Sequence, residues 1–484
     1  MNIAGLRAKH PRFIYQSFEI NEITDAYAIR YHFFLEPDIH FAPEIVIPKV
    51  SKVSDSANSG NQKGFPELLS SGIQGLVFDL GMVESISYWK AACPPELVVE
   101  AGSLSGEQTT WWHDLFINGL EEFFYKNQID FTQPNFLTIT ATGANPADTT
   151  PGVNLDHPRG EHSGDLILVG GGKDSAVTLE LVSKLPEVNN VLLLNPTPAA
   201  LAVSQTAGYD SPIIVKRTID PKLIELNKNG YLNGHTPFSA YLAFLGTLVA
   251  TAHGYNRVIT SNEASASEGS LEYLGHSINH QYSKSYEFET KFREYCIRPG
   301  LLASKGRALN LPDYFSFLRP INELQTATLF ASMPNYHRMF ISCNANRGAG
   351  WCGLCAKCAF VYTVLSPFLS QKTMTDIFGS DFFEKPGLYQ HFLDLAGVGD
   401  HKPFDCVGTP DETRDAVALT IANYQRQNII LPPLLLELKD KLNIPDIIES
   451  NRLFEKLKTS WNPSHFLPTE YEKILRLALK TIHD

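Results

Sequence analysis

LILVGGGKDSAVTLELV, residues 166–182, is the stretch that decides the fold. Four apolar residues in a row, 166–169, fit a strand covered on both faces, as in a parallel sheet. Three glycines follow, then Lys173, Asp174 and Ser175, then apolar residues at helical spacing. Glycines at Gly170, Gly171 and Gly172 let backbone N–H groups close on phosphate oxygens, and the start of the helix adds its positive end. Ser175 can donate a hydrogen bond and Lys173 can neutralise charge. A glycine-rich turn with a purely structural role is the competing reading. The nucleoside-triphosphatase loop is excluded, because Ile167 stands where its first glycine belongs and Asp174 where its Ser/Thr belongs. The dinucleotide fingerprint needs spaced glycines rather than three in a row.

Outward from this turn, strand-like and helix-like segments alternate: DLILVGG, a helix, NVLLLN, a helix, PIIVKR, a long helix from about Thr236, then RVITSN. That alternation predicts βαβ units and a parallel sheet, with ligands at the carboxyl ends of the strands, where Gly170–Ser175 and Ser261–Glu263 fall. Residues 1–155 read as an α+β unit. In it, SFEINEITDAYAIRYHFFL predicts two strands, and GLVFDLGMVESISYWKAACPPELVVEAG an apolar stretch, a short helix and a strand after Pro94-Pro95. TTWWHDLFINGLEEFFYKNQI predicts an amphipathic helix capped by Thr109 or Thr110. The Gly/Pro-rich segment 143–164 reads as a linker. Residues 156–375 form the expected nucleotide-binding domain, and 376–484 a mainly helical C-terminal region.

The 484 residues are 43% hydrophobic and 19% charged, ordinary for a soluble globular protein. A net charge of -12 argues against sequence-independent binding of nucleic acid. No signal core or membrane-length apolar run is present, so the expected location is the cytoplasm and no membrane partner is expected. Four of the seven cysteines, Cys343, Cys352, Cys355 and Cys358, fall within sixteen residues. Two overlapping C-x-x-C pairs with an upstream cysteine can give four thiolates to a structural, tetrahedral Zn²⁺. A [4Fe–4S] cluster accepts the same four ligands. Cys93, Cys296 and Cys406 fit buried free cysteines.

The turn resembles the loop of the ATP-pyrophosphatase family, usually Ser-Gly-Gly-x-Asp-Ser, with Gly170 in place of the serine. Longer stretches complete a more specific resemblance: SYWKAACPP, LFINGLEEFFYKN, ELNKNGYLNGHTPFSA, SNEASAS, NHQYSKSYEFE, LRPINEL, the cysteine segment and DHKPFDCVG. From roughly Phe18 to Gly408 the chain resembles the UDP-N-acetylmuramoyl-L-alanyl-L-glutamate epimerase family, in which the Gly-Gly-Gly-Lys-Asp-Ser form of the turn also occurs. The resemblance implies a parallel-sheet fold of the adenine-nucleotide α-hydrolase type and a reaction that consumes ATP, yielding AMP and diphosphate. In that reaction the terminal L-glutamate of a UDP-MurNAc-dipeptide becomes D-glutamate. It further implies ATP and Mg²⁺ at the turn, and it leaves the proton-transfer residues open.

Candidates for those roles follow from chemistry. Glu263, after the strand VIT, could hold Mg²⁺ or take a proton, with a helix cap as the alternative. His235 precedes the long helix and could touch phosphate. His280 and Lys284, four apart, would share one helical face as an acid–base pair or phosphate clamp. Asn262 joins the turn residues as a nucleotide contact, and Arg319 and Lys402 suit diphosphate or carboxylate recognition. His401 and Cys406 are weaker base candidates. The rival functions are an adenylating enzyme of the same fold acting on a nucleoside or tRNA, and a non-catalytic zinc module.

Overall fold

The computed structural model describes residues 2–49, 71–144, 164–297, 311–346, 350–399, 401–445 and, with interruptions, 453–481. The expected linker lies, apart from its ends, outside the described residues.

Thirteen strands are described: β1 (Arg12–Ile23), β2 (Ala26–Leu35), β3 (Ile39–Phe41), β4 (Glu44–Pro48), β5 (Glu96–Val99), β6 (Thr138–Ala141), β7 (Asp165–Leu168), β8 (Asn190–Leu194), β9 (Ile213–Thr218), β10 (Arg257–Thr260), β11 (Leu271–Tyr273), β12 (His276–Ile278) and β13 (Asp313–Ser316). Eleven of them make one sheet in the order β13-β10-β7-β8-β9-β4-β2-β1-β5-β6, with β3 beside β2; β11 and β12 form a separate hairpin. The run from β13 to β9 is parallel. Its strands are short and nearly continuous in apolar residues, as expected where helices cover both faces. The antiparallel pairing of β4 with β9 joins this run to the N-terminal strands, so the sheet continues from one expected unit into the next.

Alternation along β7 separates two cores. Leu166 and Leu168 face one apolar cluster, shared with the N-terminal strands and the helix Phe238–His253. Ile167 and Val169 face the other, built with the helices of the C-terminal third. Successive strand residues point to opposite faces, so one strand anchors both halves.

Three local expectations change. The segment read as an apolar stretch plus a short helix is one helix, Ser71–Trp89. It packs against β1, β2 and the helix Phe238–His253 and is apolar nearly all round, so periodicity alone could not mark its length. The helix Gly106–Gly119 is capped by Ser105 in a capping box with Gln108, while Thr109 and Thr110 bond carbonyls one turn back. His280 and Lys284 are not on one helical face: His280 lies in the turn after β12, and Lys284 ends a short 3₁₀ turn, Tyr282–Lys284.

Candidate active site

The glycine turn opens onto a cavity of about 510 Å³ at the carboxyl ends of β7, β8 and β10. β7 ends at Leu168 and the following helix, Lys173–Val182, starts from Gly172 as its N-cap. Gly171 has φ +87°, and a Cβ there would lie 2.6 Å from the backbone nitrogen of Ala200, so only glycine fits. A Cβ on Gly170 would meet nothing within 4 Å. The Gly170 N–H donates to Ser175 Oγ at 3.2 Å, closing the turn on itself. Its lining is partly apolar, with Leu168, Leu192, Leu194, Leu242 and Ile341, and includes the Asn195–Thr197 turn. A polar part carries Asp174, Glu263, Lys284, Glu323, Lys357 and Cys406.

This polar part is a dense charge cluster. Oxygens of Asp174, Glu263 and Glu323 lie within 4.8 Å of one another. The Lys173 ammonium is buried and paired with both Asp174 and Glu323. Burial opposes its charge, yet the two carboxylates hold it above its ordinary pKa. Burial also works against the Asp174 anion, but Lys173 and Lys357 keep its carboxyl low. Burial pushes Glu323 the other way, up, despite Lys173. Asp174 and Glu323 are thus pushed in opposite directions, Asp174 toward its charged form and Glu323 toward its neutral one. Ser261 Oγ is buried without a hydrogen-bond partner among the described residues, and Ser261 and Thr260 both line the cavity.

A second relay enters from the N-terminal unit. Lys284 Nζ lies 3.2 Å from Cys406 Sγ. The charge of the His280 ring also acts on this sulfur, and its Nδ1 sits 2.5 Å from Glu122 Oε2. Lys126 pairs with the other Glu122 oxygen, and His235 Nδ1 approaches Oε2 at 3.3 Å. Burial opposes the Cys406 thiolate, but Lys284, His280 and Lys357 bring the thiol down to about 6. Burial also opposes the imidazolium, but Cys406 and Glu122 raise His280 to about 9. Burial would raise Glu122, yet His280 and Lys126 bring it to about 2. His235, half-buried and beside His280, is lowered to about 3 by loss of solvent and by the neighbouring imidazolium, which favours its neutral form.

The four clustered cysteines converge. Cys343, Cys352, Cys355 and Cys358 place their sulfurs within 4.8 Å of one another, and all are free thiols. Tetrahedral Zn–S bonds of about 2.3 Å imply S···S separations of about 3.8 Å, and Cys352 and Cys358 are 3.7 Å apart. The donor set therefore fits zinc. The cluster also shapes the cavity: Ser342, Cys343 and Lys357 line it, and the Lys357 ammonium bonds the Cys406 carbonyl.

Of the candidates read from sequence, Gly170, Gly172, Asp174, Ser175, Asn262, Glu263 and Lys284 line the cavity. Lys173 does not face it, being held inside by its carboxylates. Arg319 is fully buried: it bonds Glu289, and its Nη1 and Nη2 donate to the carbonyls of Glu263 (2.7 Å) and Lys284 (2.5 Å). It braces the backbone of two site residues instead of meeting an anion. Lys402 is buried near Glu268 and Glu412, its ammonium without a hydrogen-bond partner among the described residues. Sequence reasoning missed Glu122, Glu323 and Lys357 and undervalued Cys406. All four lie in stretches that carried the resemblance, but nothing in their spacing marks them.

The MurL N-terminal domain model matches residues 6–307 and the MurL C-terminal domain model residues 338–443. Similar curated proteins bear the name UDP-N-acetyl-alpha-D-muramoyl-L-alanyl-L-glutamate epimerase. The one from Micromonospora is 33% identical over 82% of this chain and 84% of its own length. That from Salinispora tropica is 34% identical over 72% of each chain. That from Xanthomonas oryzae is 31% identical over 76% of this chain and 79% of its own. No solved structure matches significantly. Two matching domain models, and identity above 30% across most of both chains, place this protein in the UDP-N-acetyl-alpha-D-muramoyl-L-alanyl-L-glutamate epimerase family.

Proposed function

We propose that this epimerase inverts the terminal L-glutamate of UDP-MurNAc-L-Ala-L-Glu after ATP has adenylated its α-carboxylate, in peptidoglycan precursor synthesis. The observation that carries the ATP-dependent part is the cavity, in which a glycine turn with a helix start behind it faces a buried charge cluster. Such a turn suits phosphate oxygens, and the apolar part of the lining suits adenine. We read the nucleotide domain as one of the ATP-pyrophosphatase type on these grounds.

The chemistry follows from charge. A carboxylate suppresses acidity at its α-carbon, since removing that proton would add a second negative charge. Attack of the carboxylate oxygen on the α-phosphorus expels diphosphate and leaves a mixed anhydride whose carbonyl is an electron sink. A base then takes the α-proton, a proton returns to the opposite face, and water releases AMP and the D-glutamyl product. Asp174, Glu263 and Glu323 offer the hard oxygen ligands that Mg²⁺ prefers; when bound it would offset the charge of the diphosphate. Lys284 and Lys357 face the cavity and are placed to attract the substrate carboxylate. The UDP-sugar is assigned to the N-terminal unit, which reaches the site through Glu122. Among the described residues no helix is long and apolar enough to cross a membrane; we assign the protein to the cytoplasm, where such precursors are made.

Incubation of the purified chain with ATP and UDP-MurNAc-L-Ala-L-Glu in D₂O tests the reading. Expected products are AMP, diphosphate and D-glutamate with deuterium at the α-carbon, with exchange that requires ATP. ADP and phosphate, or inversion without nucleotide, would overturn adenylation.

A further inference from the structure

We propose that Cys406 is the base that removes the α-proton of the activated glutamate, with Lys284 and His280 holding its thiolate and Glu122 positioning His280. The proposal rests on the reading above that this cavity activates a glutamate carboxylate.

The geometry favours a thiolate. Cys406 lines the cavity alongside Asp174, Glu263 and Lys284. Its sulfur has the Lys284 ammonium at 3.2 Å, and the charge of His280 acts on it as well. His280 is anchored by Nδ1, which sits 2.5 Å from Glu122 Oε2. A carboxylate behind an imidazole fixes the ring's orientation and favours its charged form. The remaining groups near the sulfur are Lys357, whose ammonium bonds the Cys406 carbonyl, and the neighbouring Asp405, with Asp174 and Glu263 acting through Lys284. Cations thus dominate the immediate surroundings, and they hold the thiol near 6 against the cost of burial. A base with a pKa close to working pH is largely ionised yet still takes a proton readily. The other thiol on the cavity wall, Cys343, belongs to the four-cysteine cluster and is committed there.

The step balances simply. The Cα–H electron pair moves into the carbonyl of the mixed anhydride, and the proton passes to Cys406 sulfur. A proton of solvent origin then returns to the opposite face of the α-carbon, and the Cys406 thiol gives its own proton back to solvent. Lys284 serves twice in this scheme, stabilising the resting thiolate and facing the oxygen on which charge collects.

Three full-length variants, Cys406→Ala, Cys406→Ser and Glu122→Gln, are compared with the native chain. With ATP and the L-glutamate substrate in D₂O, both Cys406 variants should lose deuterium exchange and inversion by roughly 10²–10⁴-fold. Their ATP-dependent AMP formation should stay within several-fold of native. Independently, iodoacetamide labelling of Cys406 in the native chain, followed by peptide mass mapping, should rise with a midpoint near pH 6. In Glu122→Gln that midpoint should move upward, because His280 loses the carboxylate that keeps it charged; a residue of purely structural role would leave it unmoved. Exchange in Cys406→Ala within threefold of native would overturn the proposal, as would a native labelling midpoint near 9, or a glutamyl group trapped on the Cys406 sulfur, which would make it a nucleophile. The labelling of the native chain needs no variant, so a variant that fails to fold does not shelter the idea. Absence of AMP from the native enzyme would instead sink the adenylation reading itself.

Discussion

Lys173, the lysine of the glycine turn, is locked in a buried ion pair with Glu323, 150 residues further along the chain. The pair joins the start of the helix Lys173–Val182 to the start of the helix Glu323–Ala331. Glu323 is tied in turn to the C-terminal region, because its N–H donates to Glu412 Oε1 at 2.7 Å. The turn is therefore fixed from behind by the far end of the sequence.

This arrangement makes Lys173 a structural group first. Lys173→Met should destabilise the fold by about 3–5 kcal/mol, since it leaves buried carboxylates without their cation. Lys173→Met combined with Glu323→Gln should recover a substantial part of that loss, the coupling expected of residues in direct contact. Thermal or urea unfolding of the two single variants and the double variant measures it. A stable Lys173→Met chain that has lost only ATP turnover would show that the lysine serves phosphate after all.

The two glycines at the mouth of the turn should behave differently on substitution. Gly171→Ala forces a Cβ into φ +87° and to within 2.6 Å of the Ala200 backbone nitrogen. The left-handed conformation alone costs about 1–2 kcal/mol, and the overlap with backbone adds to it. Gly170→Ala meets open space and should leave stability nearly unchanged, while narrowing the cavity and raising the KM for ATP. Melting temperatures and ATP titrations of the two variants should separate these effects cleanly.

The βαβ core around 166–260 could be read from sequence because strand and helix periods alternate there and the glycines punctuate them. The relay could not. Glu122, His280 and Cys406 come from three distant segments, and only the folded chain brings them together. His280 and Lys284 do converge, but on Cys406 from a turn, not along a helix. Arg319 shows the limit from the other side. Residue type alone suggests an anion site, whereas Glu289 and two carbonyls satisfy the guanidinium completely inside the fold. Whether an arginine meets a ligand or braces a backbone depends on partners that sequence spacing does not reveal.

The neutral His235 and ionised Glu122 should set the acid limit of stability. His235 has an ordinary pKa of 6.5 and is lowered to about 3 by burial and by the neighbouring His280. Burial would raise Glu122 from its ordinary 4.5, but His280 and Lys126 bring it to about 2. In both cases the unfolded chain binds the proton first as pH falls. Stability from His235 is thus full above pH 6.5 and is lost down to about 3, and that from Glu122 is full above 4.5 and is lost down to about 2. Each group contributes a slope of about 1.4 kcal/mol per pH unit inside its window. His235→Gln should flatten the upper part of the curve, between about 6.5 and 4.5, and leave the Glu122 limb below it. Urea midpoints measured from pH 7 to pH 3.5 test this, and an unchanged curve for His235→Gln would refute it.

The cysteine cluster should be a zinc site whose loss is felt in the nucleotide cavity. Its four sulfurs are gathered at spacings that suit a tetrahedral ion. Freshly purified protein should carry one zinc per chain by metal analysis, and iron with acid-labile sulfide would exclude this. Metal binding and local folding are coupled at such sites, so Cys352→Ser should lower the melting temperature and the zinc content together. The effect should reach further, because Cys343 and Lys357 belong at once to this segment and to the cavity wall. Lys357 also carries a hydrogen bond to the Cys406 carbonyl and helps hold the Cys406 thiol low. Chelation of the zinc should therefore weaken ATP binding, measured by calorimetry below the melting temperature, and should raise the pH midpoint for alkylation of Cys406. A zinc-depleted chain that binds ATP with unchanged affinity would confine the metal to a purely local role.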